Sequence, residues 1–325
     1  MNFSSSKQLI INTKFFLKID YYSFFDKVFK KKGIFYGWGR KKSGLKAISL
    51  AHKRETSFVL LEDGFIRSLD LGVNNSPSFS LVEDNIGIYY DATSPSTLEN
   101  ILNTYDFISD KELVQKAKEA IEMIIKNNIS KYNHAPNLSD GYFKNKNKRV
   151  LVIAQTAGDS SLEYGMIDNY STEEMIEASL SENPNAEVYV KIHPDVLSGK
   201  KKSDINIEDL KNKCKIIEEN INPISLLKHF DKVYTKTSQM GFEALLVGCE
   251  CVCFGMPFYA GWGFTSDKSI CERRKRKLFI EEVFAGAYIL YTRYYNPYKK
   301  KDCDIIEAIE EIIYQRNIGE AKCNG

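Results

Sequence analysis

No apolar run in this 325-residue chain approaches the ~20 residues that a membrane-spanning helix requires, so any membrane association is expected to be peripheral. An excess of one charge is also missing. Forty-five basic residues nearly balance 43 acidic ones, which argues against a nucleic-acid partner or an acidic tail. The seven cysteines are odd in number and lack paired spacing, so neither a disulfide framework nor a zinc knuckle is expected. A reducing cytoplasm is then the default compartment. Cys249, Cys251 and Cys253 alternate along one apolar run and read as packing residues on one face of a strand. Met1–Lys18 has lysines inside its apolar stretch and no small-residue cleavage site, unlike a signal peptide. Phosphate-loop, H-E-x-x-H and G-x-S-x-G patterns are absent, and Gly37-Trp38-Gly39 lacks the third glycine of a dinucleotide fingerprint.

What is present is a series of short apolar runs, each ending in a polar or glycine-rich motif. Ser57–Leu61 leads into Glu62-Asp63-Gly64, and Arg149–Ala154 into Gln155-Thr156-Ala157-Gly158-Asp159. Val188–Ile192 leads into His193-Pro194, Lys232–Tyr234 into Thr235–Gln239, and Cys249–Phe254 into Gly255-Met256-Pro257. Strands alternating with helical patterns predict an α/β fold with parallel sheets, whose ligands bind beyond the carboxyl ends of the strands. All these motifs fall at that end. The Asn-, Lys- and Gly-rich stretch 127–148 reads as a linker. The expected organisation is two Rossmann-like domains, 1–145 and 146–300. A final helix within 301–325 is expected to pack back on the first domain.

Four motifs carry candidate chemistry. Thr237 or Ser238 is a good helix N-cap and Gly248 a good stop, and a helix start at strand ends is a ready phosphate site. Glu243, about one and a half turns in, is placed to accept hydrogen bonds from ribose hydroxyls. His193 follows a strand directly, with Lys191 two residues earlier on the same face, and both suit a phosphate. Glu62 and Asp63 at the mouth of the first domain, and Asp159 at the mouth of the second, present carboxylates across one cleft. Glycosyl transfer needs such a pair, one as nucleophile or oxocarbenium stabiliser and one as acid/base. Whether Glu62 or Asp63 faces the cleft stays open at this point. Arg273–Lys277 is the one dense basic run, either a solvated loop or a contact for anionic lipid headgroups.

Six ordered segments, Leu61–Gly72, Gly87–Ala92, Gln155–Ser160, Lys191–Val196, Thr237–Leu246 and Gly255–Gly263, resemble the KpsC-type β-Kdo transferases of capsule polysaccharide assembly. The likeness runs from about Gly33 to Tyr295. It implies a GT-B-like pair of domains with the donor CMP-Kdo held mainly by the second and the acceptor by the first. It further implies retaining double displacement, with Asp159 as nucleophile and Glu62 as acid/base. His193, Thr237 and Ser238 would hold the CMP phosphate, and Lys191, Gln155, Gln239, Glu243 and Arg67 complete the implied substrate-binding set. The implied partners are CMP-Kdo and a Kdo-terminated glycolipid, with peripheral contact at the inner face of the cytoplasmic membrane. Neither a metal nor a cofactor is implied. Family members usually carry two such modules in tandem and this chain has room for one, worded like the N-terminal module, which implies β-(2→4) linkage. The rival readings are an inverting CMP-sugar transferase of sialyltransferase type and a non-catalytic capsule polysaccharide export or binding protein.

Overall fold

The run Arg149–Ile153 is buried along its whole length, as a strand covered on both faces must be. It is central in one of two sheets that organise the chain. The computed structural model describes residues 1–74, 76–156, 158–167, 170–192 and 212–323. Its strands are β1 (Asn2–Ser4), β2 (Asp20–Tyr21), β3 (Ile34–Trp38), β4 (Phe58–Asp63), β5 (Ser80–Asp84), β6 (Arg149–Ile153) and β7 (Glu187–Lys191). They continue with β8 (Lys215–Ile217), β9 (Lys232–Thr235), β10 (Glu250–Cys253), β11 (Ser266–Asp267), β12 (Thr292–Asn296) and β13 (Lys301–Cys303). The fold is α/β, GT-B-like, with two Rossmann-type units.

The second sheet has six strands in the order β11-β10-β9-β6-β7-β8, every pair parallel. From β6 the chain winds outward through β7 and β8, then returns to β9 and winds the other way. The crevice between β6 and β9 is therefore the topological switch point, where such sheets bind ligands. The first sheet, β13-β12-β5-β4-β3-β1-β2, departs from the expected all-parallel pattern. Among the described residues between β4 and β5 there is a 3₁₀ turn (Gly72–Asn74) and no crossover helix, so β5 returns antiparallel.

Two boundaries differ from expectation. The second unit was expected to run to residue 300, but β12 and β13 already extend the first sheet beside β5. The helix Ile305–Cys323 then lies on the first-unit helix Lys111–Asn127, where Lys116 pairs with Asp304 at 2.6 Å and Arg316 donates to the Asn127 carbonyl at 2.6 Å. The stretch 127–148 is no free linker either. Tyr132 bridges Ser68, the Asn133 amide donates to the Leu69 carbonyl, and Asn222 donates from its backbone to the Pro136 carbonyl. It straps one unit to the other.

The three arginines of the basic run Arg273–Lys277 turn inward, against the expectation of a solvated loop. Arg273 and Arg274 converge on buried Glu99 at 2.6 and 3.3 Å, and Arg276 donates to the Tyr105 carbonyl at 2.8 Å. Lys275 and Lys277 stay exposed. The arginines thus staple the second unit to the first-unit helix Thr97–Thr104. The units also share a core. Phe65 lies 4.7 Å, centroid to centroid, from both Phe258 and Tyr288, and the same cluster holds Leu60, Leu151 and Val233. Among the described residues, no helix is long and apolar enough to cross a membrane.

Candidate functional site

Side chains alternate along β4, so Leu60 and Glu62 share one face and Asp63 takes the other. Asp63 pairs with Arg67 at 3.0 Å. Glu62 lines a cavity of about 730 Å³ between the units. Its Oε1 accepts from the Trp38 indole at 2.8 Å and from the Asp63 amide at 3.2 Å. Gly39 lies against it with φ +36. A Cβ there would collide with the Tyr90 hydroxyl and stand 3.0 Å from Glu62 Oε2. Burial, and then the neighbouring Asp63 charge, raise the Glu62 carboxyl from its usual 4.5 to about 7. It is poised to exchange a proton near neutrality.

Across the cavity, Asp159 is exposed and caps the short helix Ser160–Glu163. Its Oδ1 accepts from the Ser161 amide at 2.9 Å, while Oδ2 makes no hydrogen bond among the described residues. One oxygen is oriented and the other is available, which suits a nucleophile. Tyr89 lies within electrostatic reach of Glu62 and Asp159 alike, and burial pushes its phenol well above the usual tyrosine range.

The switch point is laced by side chains from both flanking strands. Gln155, just past β6, accepts from the Thr237 amide at 2.8 Å and donates to the Thr237 hydroxyl at 3.0 Å. Ser161 Oγ lies 2.9 Å from the same hydroxyl. Ser238, not Thr237, is the N-cap of the helix Gln239–Leu246, accepting from the Met240 amide at 3.2 Å. Gly248, at φ +94, closes that helix. Gln239 donates to the Phe65 carbonyl at 2.8 Å, and Lys191 donates to the Glu219 carbonyl at 2.7 Å.

Glu62, Gln155, Asp159, Lys191, Thr237, Ser238 and Gln239 thus line one cavity. Two residues expected beside them are elsewhere. Arg67 is held by Asp63, Ser68 and the Ser76 carbonyl, bracing the loop before β5. Glu243 is buried, accepts from Ser130 Oγ at 2.6 Å and bonds the Lys131 backbone, so it meets no ribose. His193 lies outside the described residues.

Lys131 was missed. Its segment has the composition of a linker, yet its side chain lines the cavity. Burial opposes its charge, but Tyr89, Tyr132, Asp63 and Glu62 outweigh that and keep the ammonium protonated above the ordinary lysine range. Trp38 was missed for a different reason. Gly37-Trp38-Gly39 fails as a phosphate-binding turn, and the Trp38 indole instead orients Glu62. Its one available signal was a bulky aromatic between two glycines at a strand end.

The family model "Capsule polysaccharide biosynthesis protein" matches residues 35–294. The capsule polysaccharide modification protein LipA of Neisseria meningitidis serogroup A is 43% identical over 283 residues. That match covers 84% of this chain and 40% of LipA, so the chain spans less than half of this relative's length. The lipopolysaccharide-processing protein LpsZ of Rhizobium meliloti is 38% identical, over 79% of this chain and 59% of LpsZ. Among solved structures, Thermosulfurimonas dismutans "KpsC, beta Kdo 2,4 transferase" is 41% identical with a TM-score of 0.85, covering 96% of this chain and 97% of that one. "KpsC, beta Kdo 2,7 transferase" of the same organism is 31% identical with a TM-score of 0.75, covering 97% and 98%. With 260 consecutive residues under the family model and strands, cleft and relatives in agreement, the chain belongs to the capsule polysaccharide biosynthesis protein family.

Proposed function

We propose that this chain is a retaining β-Kdo transferase that moves Kdo from CMP-Kdo to a Kdo-terminated glycolipid in capsule polysaccharide biosynthesis. The observation that carries the proposal is the pair of carboxylates, Glu62 and Asp159, supplied by different units to one cavity at the switch point. The likeness to the two Kdo transferases supports it, and the higher identity to the 2,4 enzyme favours β-(2→4) linkage.

The donor phosphate would lie at the start of the helix Gln239–Leu246, where the positive end of the helix and the Thr237 and Ser238 hydroxyls would stabilise the charge left on CMP. The phosphate-holding role of His193 rests on its His-Pro motif alone, since the residue lies outside the described residues. In the first step an Asp159 oxygen bonds to C2 of Kdo as the C2–O bond to CMP breaks. In the second, an acceptor hydroxyl attacks C2, the Asp159–C2 bond breaks, and Glu62 takes the hydroxyl proton. Two inversions retain configuration. Incubation with CMP-Kdo and a synthetic Kdo-terminated lipid, followed by linkage analysis, tests the proposal. A β-(2→4)-linked product is expected; CMP release without a new glycosidic bond would sink it.

We assign peripheral membrane contact to a surface other than the basic run Arg273–Lys277. Phe24, Phe25 and Phe29 are 72, 71 and 78% exposed, beside exposed Lys27, Lys30 and Lys32. Exposed aromatics set among lysines match an anionic lipid surface by both solubility and charge. Replacing the three phenylalanines by serine should weaken co-sedimentation with phosphatidylglycerol vesicles about tenfold or more, since each buried ring contributes roughly 1.5–3 kcal/mol. Unchanged vesicle binding, or loss instead of a concentration-dependent dimer, contradicts this assignment.

A further inference from the structure

The geometry points to Lys131 as the group that holds the carboxylate of the sugar acid in the cleft, an assignment that rests on the donor proposed above. Kdo carries its carboxylate on the carbon that reacts, so the cation that binds it must stand beside the attacking and proton-accepting groups. Lys131 lines the same cavity as Glu62, Tyr89 and Asp159. Lys131 is half-buried, and among the described residues its ammonium makes no hydrogen bond and no ion pair within 4 Å. A protonated ammonium at the cleft wall without a direct partner is open to an incoming anion. The other cavity lysines are less suited. Lys191 already donates to the Glu219 carbonyl, and Lys41 is exposed.

The backbone around Lys131 is fixed from both units. Its carbonyl accepts from the Arg67 amide at 2.9 Å and the Ser68 amide at 3.2 Å. Ser130 Oγ donates to Glu243 at 2.6 Å, and the Ser130 amide donates to Asn133 Oδ1 at 2.9 Å. Glu243, a buried second-unit residue on the switch-point helix, also bonds the Lys131 backbone. This supplies a role for Glu243, and indirectly for Arg67, as positioning residues. They hold a lysine in place before the ligand arrives, which lowers the cost of binding. Placed there, the ammonium takes the carboxylate while leaving Glu62 free to act on the acceptor hydroxyl.

The test compares wild type, Lys131→Met and Lys131→Arg in calorimetric titrations with CMP and with free Kdo. The methionine variant should bind CMP within about twofold of wild type. Its affinity for Kdo should fall about 10- to 100-fold, the usual worth of a charge-assisted hydrogen bond. The arginine variant should recover part of that loss. Wild type should also bind Kdo more tightly than its carboxamide analogue by a similar factor, a readout that requires no variant to fold. Equal affinity for acid and amide, or Kdo binding indifferent to residue 131 while CMP still binds, overturns the assignment alone. Failure of wild type to bind CMP at all overturns the donor proposal, and this inference with it.

Discussion

Replacing Asp159 by Asn is expected to abolish Kdo transfer while leaving the fold and the affinity for CMP unchanged. An amide is no nucleophile at C2, so the loss should be on the order of 10⁴-fold or more, as for other covalent nucleophiles. The substitution is structurally quiet. Asn keeps the Oδ1 acceptor that caps Ser160–Glu163 through the Ser161 amide, and Asn is as good an N-cap as Asp. Asp159→Ala should lose the same activity and also about 1 kcal/mol of local stability from the missing cap. Thermal melts and CMP titration check the fold and binding, and product analysis checks transfer. Near-normal transfer by either variant would reduce Asp159 to a turn residue and remove the covalent step.

Glu62→Gln is expected to separate the two half-reactions. CMP leaves readily without a proton donor, so the Asp159 adduct should still form. Its resolution needs a base for the acceptor hydroxyl, and loss of a general base typically costs ~10²–10⁴ in rate. The adduct should therefore accumulate. Gln retains an Oε1 to accept from the Trp38 indole, so the side chain should keep its position.

The raised Glu62 carboxyl adds two pH signatures. Resolution in wild type should speed up as pH rises through about 7, when the carboxylate forms, and level off above it. That limb should vanish in Glu62→Gln. Stability should change in a defined sense as well. Because the folded value is raised, burial of Glu62 costs nothing below the usual 4.5 and costs progressively more as pH climbs to about 7. The melting temperature of the Gln variant should therefore exceed that of wild type at pH 8 and match it at pH 4. An equal difference at both pH values would contradict the burial of an ionisable group there.

The parts of the site on strand ends were legible because β6 and β9 each stop at a polar motif, and the fold sets those ends side by side. Gln155 and Thr237 could be assigned to one crevice on that ground, though their mutual hydrogen bonds could not. The choice between Glu62 and Asp63 was not legible, since both precede Gly64. It follows from strand phase and from Arg67, four residues on, which pairs with Asp63. Glu243 misled because one helical turn predicts a face, not what covers it, and Ser130 arrives from 113 residues away. Lys131 was hidden by composition, since a polar stretch strapped across two units looks like one that merely joins them. The arginines at 273, 274 and 276 were misread for a related reason. A dense basic run suggests solvent, but three guanidinium groups found Glu99 and backbone carbonyls of the opposite unit.

The central claim is that Kdo passes through a covalent bond to Asp159 in the cleft between the two units. Intact-protein mass spectrometry of Glu62→Gln, acid-quenched after incubation with CMP-Kdo and without acceptor, tests it most directly. The predicted result is protein heavier by one Kdo residue, with the modification mapped to the peptide that contains Asp159 and one equivalent of CMP released. Unmodified protein, under conditions where wild type transfers Kdo to acceptor, would contradict double displacement and leave a single inverting step in its place.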